Sequence, residues 1–472
     1  MKKLQITVFF LFLITLQTYC QQTHSSQKKE LGQNIDLVPK FALSGKDIVP
    51  LKSSFSKSNL TVFGFLPYWE YADAKTNLKY ELLTHIALFD FMTNSKGEIT
   101  NPSGWPWTDI INNAHSVGTK TILTLTNFGG AEDPAEVVHK ILTEPVAQNT
   151  LKLNIKSLIL TYQLDGVNVD FEGLNTADRG ALLNDFMKDL TEFIHTELPG
   201  KEVSFDGPAV NWGGWDLDGL CDAVDYLIIM AYDYNGGWSS KTGAVSPLVH
   251  PSGGISVTKS LTNDYQAPLL KNPNKLILGV PYYGKYWTTS TGLANSAVIK
   301  YIRSTFYKTA ADEAISKGGF IWNDDSQTPW YKWLNGEWNQ VWQDNEQSLS
   351  KKYDLALQEN LGGIGIWALN YDGDKPELWD LISAKFFNQL SVDHLESSAL
   401  SVFPNPSNGK FFIHSSKNLA INSIAVYNPF GQKIPIELIN NSFDLSAFSN
   451  GIYFVRLHDD QGSISQIKIL NQ

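Results

Sequence analysis

Between Leu60 and Phe387 one pattern recurs eight times: a short apolar, β-rich run that closes on polar or aromatic residues. The runs read TVFGFLPYWE, LTHIALFDFM, TKTILTLTNFGG, LDGVNVDFEG, EVSFDGPAV, VDYLIIMAYDYN, KLILGVPYYG and LGGIGIWALNYD. Helix-compatible stretches, such as 178–198 and 345–360, separate most of them. Strands alternating with helices make parallel βα units, and eight such units predict a closed (β/α)8 TIM barrel over 59–388. The apolar start and polar end of each run suit a barrel whose site lies at the C-terminal ends of its strands.

The fourth run, Asp165 to Glu172, carries the chemistry. Alternate residues of a strand share a face, so Asn168, Asp170 and Glu172 point into the barrel while Val167, Val169 and Phe171 pack beneath the helices. Asp165 has the opposite parity and is expected to bond backbone where the strand begins. Two carboxylates about 7 Å apart along one strand repel one another and resist desolvation. Both effects raise the pKa of at least one, as a general acid working near neutrality requires. Carboxylates and Asn also bind Ca²⁺, yet no third or fourth ligand clusters with them, and the DGD at 372–374 reads as a turn. Nothing calls for a metal or an organic cofactor.

In this sequence DGVNVDFE stands where family-18 glycoside hydrolases, the chitinases and their relatives, carry DxxDxDxE. MAYD (Met230 to Asp233), GVPYYG and Trp367 follow in the family's order, so 59–388 resembles that family. The resemblance implies hydrolysis of β-linked N-acetylglucosamine polymers, chitin first, with peptidoglycan or N-glycan cores as alternatives. A sugar-binding protein without activity on the same barrel is the rival from another class. Glu172 would be the general acid and base, Asp170 would orient the acetamido N–H, and Tyr232 would bond the acetamido oxygen. Asp233 would help hold sugar and acid, and Trp367 would form the floor under the distorted ring. The substrate-binding set is completed by Asn168, Tyr68, Trp69 and Met230, although packing also explains Met230.

Three departures from the family stand out. Asn168 replaces the usual middle Asp, and its amide is expected to donate to Asp170. TLTNFGG replaces the third-strand SxGG. The segment from Thr288 to Asn360 offers a helix, a hairpin around Asn335-Gly336 and a second helix, short of the full insertion subdomain; a shallow cleft is expected.

The ends have a different grain. Lys2 and Lys3 precede the apolar run Ile6 to Leu16, so residues 1–20 read as a secretory signal too short to span a bilayer. Cys20 invites lipidation, but bulky Tyr19 suits that processing poorly. Residues 21–58, rich in Ser, Lys and Gln, read as a leader or linker with partial order. After a polar linker at 389–399, residues 400–472 show short alternating segments separated by turn residues, as a small all-β sandwich does. SVFPNPSNGKFFI, VYNPFGQKI and DLSAFSNGIYFVRL resemble the C-terminal sorting domains of Bacteroidetes type IX secretion substrates. That implies contact with the type IX machinery and export through the outer membrane, to the surface or beyond.

Composition supports these expectations. A net charge of −11 without a Lys/Arg cluster argues against nucleic-acid binding. With two Cys there is no disulfide scaffold, and Cys221 reads as a small buried apolar residue. Fourteen Trp and 19 Tyr supply flat, half-polar rings suited to sugar faces. A monomer is expected.

Overall fold

The computed structural model describes residues 23–32, 47–52, 58, 60–387, 400–415, 421–428, 432–459 and 464–472. The signal, the polar linker and the remainder of the leader lie outside these residues. Two compact units divide the chain, Met1–Asn388 and Gln389–Gln472.

The first unit is built on eight parallel strands: β1 (Thr61–Pro67), β2 (His85–Thr93), β3 (Lys120–Thr126), β4 (Gly166–Asp170), β5 (Glu202–Gly207), β6 (Tyr226–Ile229), β7 (Leu276–Pro281) and β8 (Gly363–Trp367). Each pairs with the next, and β1 pairs with both β2 and β8, so the sheet closes. Each of the eight sequence runs overlaps one of these strands, and only β2 extends past its run, by Thr93.

Register fixes what faces inward. Asn168 lies opposite Thr124 and Ser204, and Asp170 opposite Thr126. Because side chains alternate, a buried polar stripe crosses β3, β4 and β5 inside the barrel: Thr124, Thr126, Asn168, Asp170, Ser204 and Asp206. Opposite it the interior is aromatic, with Phe63, Phe65, Phe89 and Trp367. Bulk there is offset by Gly279 on β7. A Cβ at Gly279 would lie 2.4 Å from the Ile229 carbonyl oxygen and 3.1 Å from the Tyr232 ring.

At the start of β4, Asp165 accepts from the Thr121 N–H (2.9 Å) and Lys201 Nζ (3.0 Å), and meets His115 Nε2 at 3.0 Å. Its expected structural role is observed. Burial pushes the carboxyl up, but the His115 bond, the Lys201 charge and the Thr121 amide together hold it below its ordinary value. Asp165→Ala should therefore cost about 2–4 kcal/mol, because it strands buried donors at the barrel's base. A lowered urea midpoint with unchanged turnover per folded molecule is the expected result. A midpoint equal to the parent's would show that the network contributes nothing.

The chain between β7 and β8 corrects one expectation. It forms a five-stranded antiparallel sheet from Tyr283–Thr289, Val298–Phe306, Ile321–Asn323, Thr328–Asn335 and Glu337–Gln343, with the helix Tyr307–Ser316. This is an insertion subdomain with its own core. Several of its strands are short, twisted or edge segments whose alternation is weak, which hid them in the sequence. The predicted turn is present, with Gly336 at φ 72°. Trp330 and Trp342 stack on one another at 5.2 Å and are buried, so these two rings fill the subdomain's core.

The second unit consists of a three-stranded sheet (Leu400–Phe403, Lys410–Ser415, Ser442–Asp444) and a four-stranded one (Ile421–Tyr427, Lys433–Ile434, Gly451–Asp459, Ile464–Asn471). Phe411, Ile413 and Phe443 from the first pack with Val426, Val455 and Ile469 from the second. This is the expected β-sandwich core. Among the described residues, no helix is long and apolar enough to cross a membrane.

Candidate active site

The site gathers at the C-terminal ends of the strands. Asp170 closes β4 and Glu172 follows two residues later, its backbone N–H donating to Asn127 Oδ1 (2.9 Å) while Asn127 Nδ2 donates to the Glu172 carbonyl (2.8 Å). This two-way clasp fixes where the acid leaves the strand. Tyr232 and Asp233 come just after β6, and Trp367 is the last residue of β8. All five side chains are buried. Asp233 adopts a left-handed backbone, φ 54°, and is held by the Tyr283 hydroxyl (2.6 Å) and Lys285 (3.4 Å) of the inserted sheet.

Other predicted residues take different places. Trp69 Nε1 donates to the Tyr371 hydroxyl (3.2 Å) and meets Trp367 edge-on at 6.5 Å, and Tyr68 stands beside it. Met230 is buried in the barrel core. Asn168 lies one layer below Asp170, and here a second expectation fails. Its amide donates to Asp206 Oδ2 (2.8 Å), not to Asp170, while its carbonyl accepts from Ser204 Oγ (2.7 Å). Both partners lie on β5, whose register a reading of β4 alone could not supply.

Asp206 was missed altogether. The signal available was parity: in EVSFDG it shares a face with Ser204 and ends an apolar run, as Asp170 does. Asp90, an acid inside the apolar LFDFM, was missed as well. It is buried and accepts from Thr126 Oγ1 at 2.6 Å.

Asp170, Glu172 and Asp206 are thus buried close together. Burial first, then the neighbouring Asp90, raises Asp170 well above its ordinary range. Burial and then Asp170 do the same to Asp206. Glu172 is pushed up to about 8, by burial and next by Asp170, against the opposing effect of His24. A carboxyl raised this far beside an aromatic platform has the protonation that a general acid working at neutrality needs.

An unexpected element fills this pocket. Within the segment expected to be a leader of partial order lies a helix, Thr23–Leu31, whose first turn is buried among the acids. His24 Nδ1 lies 2.7 Å from Asp170 Oδ2, its Nε2 lies 2.8 Å from the Tyr232 hydroxyl, and its ring stacks on Trp367 at 3.7 Å. The backbone N–H groups of His24 and Ser25 donate to the two Glu172 oxygens at 2.9 and 3.0 Å. His24, Asp170 and Asp206 present possible metal-ligand atoms within 4.8 Å of one another. Both His24 nitrogens, Asp170 Oδ2 and Asp206 Oδ2 are engaged in hydrogen bonds, whereas Asp170 Oδ1 and Asp206 Oδ1 have no hydrogen-bond partner among the described residues.

The family model described as glycosyl hydrolases family 18 matches residues 61–372, about two thirds of the chain. The chain belongs to this family. This family-18 glycosidase is 28% identical to human di-N-acetylchitobiase over 314 residues, covering 58% of the chain and 76% of that relative. It is 24% identical over 316 residues to the cortical fragment-lytic enzyme of Bacillus subtilis, covering 64% and 68%. The family-18 chitinase of Cycas revoluta, solved in complex with (GlcNAc)3, superposes with a TM-score of 0.60 at 18% identity, covering 69% of this chain and 99% of that one. The secretion system C-terminal sorting domain matches residues 401–471. It marks the glycosidase for export by the type IX machinery to the cell surface or beyond.

Proposed function

We propose that this glycosidase cleaves β-linked N-acetylglucosamine polymers, chitin first, with retention of anomeric configuration and with the substrate's own acetamido group as nucleophile. The observation that carries the reading is the buried pair Asp170–Glu172 at the C-terminal end of β4, beside Tyr232 and Trp367. An ordinary retaining enzyme sets a separate nucleophilic carboxylate about 5 Å from its acid, facing it across the scissile bond. Here the neighbouring carboxyl rises from the same strand, below the acid, so the attacking oxygen is assigned to the sugar.

Glu172 would give its proton to the glycosidic oxygen as the C1–O bond breaks and the acetamido oxygen closes on C1. Asp170 Oδ1 has no hydrogen-bond partner among the described residues and would accept the acetamido N–H. Tyr232 would donate to the acetamido oxygen and Trp367 would support the ring. Glu172, then ionised, would take a proton from the water that opens the cyclic intermediate.

Peptidoglycan and N-glycan cores carry the same 2-acetamido group, and the likeness to a cortical fragment-lytic enzyme keeps peptidoglycan as the second reading. The test is to incubate the enzyme with chitin oligosaccharides and with purified peptidoglycan, identify products by mass, and read the anomer formed first by NMR. Chito-oligosaccharide products released as the β-anomer are expected. Release of the α-anomer would overturn the mechanism, and cleavage of peptidoglycan alone would overturn the choice of polymer.

A further inference from the structure

The helix Thr23–Leu31 stands where the substrate must sit. Its His24 ring lies flat on Trp367, at 22° to the indole, in the place assigned to the sugar. The two ring nitrogens engage Asp170 and Tyr232, the groups assigned to the acetamido N–H and oxygen. Glu172 is capped by the first-turn N–H groups, which satisfies the acid with backbone in place of a glycosidic oxygen.

Contacts continue along the segment. Gln27 Oε1 accepts from Trp367 Nε1 (2.9 Å) and the Tyr371 hydroxyl (3.1 Å). Lys28 pairs with Asp90 at 2.5 Å, Glu30 accepts from the Ser304 N–H (2.6 Å) and hydroxyl (2.8 Å), and the Tyr68 hydroxyl donates to the Gly32 carbonyl (2.7 Å). A nine-residue helix reading THSSQKKEL has neither the length nor an apolar face to stand alone in water. It is ordered by what it touches, and what it touches is the catalytic cleft.

We infer that Thr23–Gly32 is an inhibitory segment that occupies the sugar site of its own barrel, so that hydrolysis requires its release. Tethering favours this. A short link gives the segment an effective concentration in the millimolar range, enough for modest polar contacts to exclude substrate. Separated from the barrel, the same decapeptide would compete only at its bulk concentration. The assignment rests on the sugar site proposed above, so its test needs a readout apart from turnover.

Three forms are compared: the chain from residue 21, the same chain carrying His24→Ala and Gln27→Ala, and a chain beginning at residue 47. Initial rates are measured on chito-oligosaccharides, and binding of a labelled peptide of residues 23–32 to the shortened chain is followed by fluorescence anisotropy. The substituted and shortened forms should turn over about tenfold faster or more than the parent. The peptide should bind, compete with chitotriose, and lose its binding when it carries Ala at position 24. Should the shortened chain fail to fold, the doubly substituted chain still decides through its rate. Rates within twofold across the forms, with no peptide binding, would overturn the inference while leaving the substrate reading in place. Peptide binding that depends on His24, in a shortened chain that cleaves no oligosaccharide, would keep the inhibitory segment and sink the substrate reading.

Discussion

Glu172→Gln should lower kcat by roughly 10²–10⁴-fold, the range that a positioned general acid contributes. At 1.36 kcal/mol per tenfold, this is about 3–5 kcal/mol of transition-state stabilisation. The amide is isosteric and keeps one oxygen that accepts a hydrogen bond, so folding and oligosaccharide affinity should survive. A loss in kcat with KM nearly unchanged is the expected signature. The pH dependence follows from the same group. Glu172 must be protonated to donate, and burial together with Asp170 raises its pKa, to about 8 with Thr23–Leu31 in place. The parent's kcat should hold through neutrality and fall about tenfold per unit on the alkaline side. Full activity in the glutamine variant, or a rate undiminished at pH 10, would show that another group supplies the proton.

Asp170→Asn should be nearly as damaging, about 10²–10³-fold in kcat, for a different reason. The amide removes negative charge from beside the cationic ring of the cyclic intermediate, and can turn a donor where an acceptor is needed. It should also move the alkaline limb. Asp170 raises Glu172 by charge, so its neutralisation makes Glu172 easier to deprotonate and shifts the limb to lower pH. Asp170, Asp206 and Glu172 titrate as a coupled group, so the shift belongs to the pocket and not to Glu172 alone. Measuring kcat against pH for parent and variant tests this. An unmoved or raised limb would mean that Asp170 carries no charge in the working enzyme.

The two corrections inside the barrel have one physical origin. From β4 alone, Asn168 had Asp170 as its nearest polar neighbour, two residues on along the same face. Closing the barrel placed β5 alongside, and Asp206 accepts from the amide across the strand gap at 2.8 Å. Likewise the inserted sheet is assembled by distant pairings such as Trp338 with Thr289 and Gln343 with Gly284, which local alternation cannot rank.

Eight apolar runs, the parity of Asp165, Asn168, Asp170 and Glu172, and the turn-punctuated tail were all legible in the chain, because strand period and motif spacing are local properties. They suffice for the barrel, for the carboxyls at the end of its fourth strand and for the β-sandwich that follows. The company those residues keep was decided by tertiary contact: Asp206 on the neighbouring β5, the buried Asp90, and above all the helix Thr23–Leu31. That segment is polar and has weak intrinsic helicity, and nothing in its own residues orders it. Its structure is written in the complementary surface of the cleft, about 150 residues away in sequence from the carboxylates it covers.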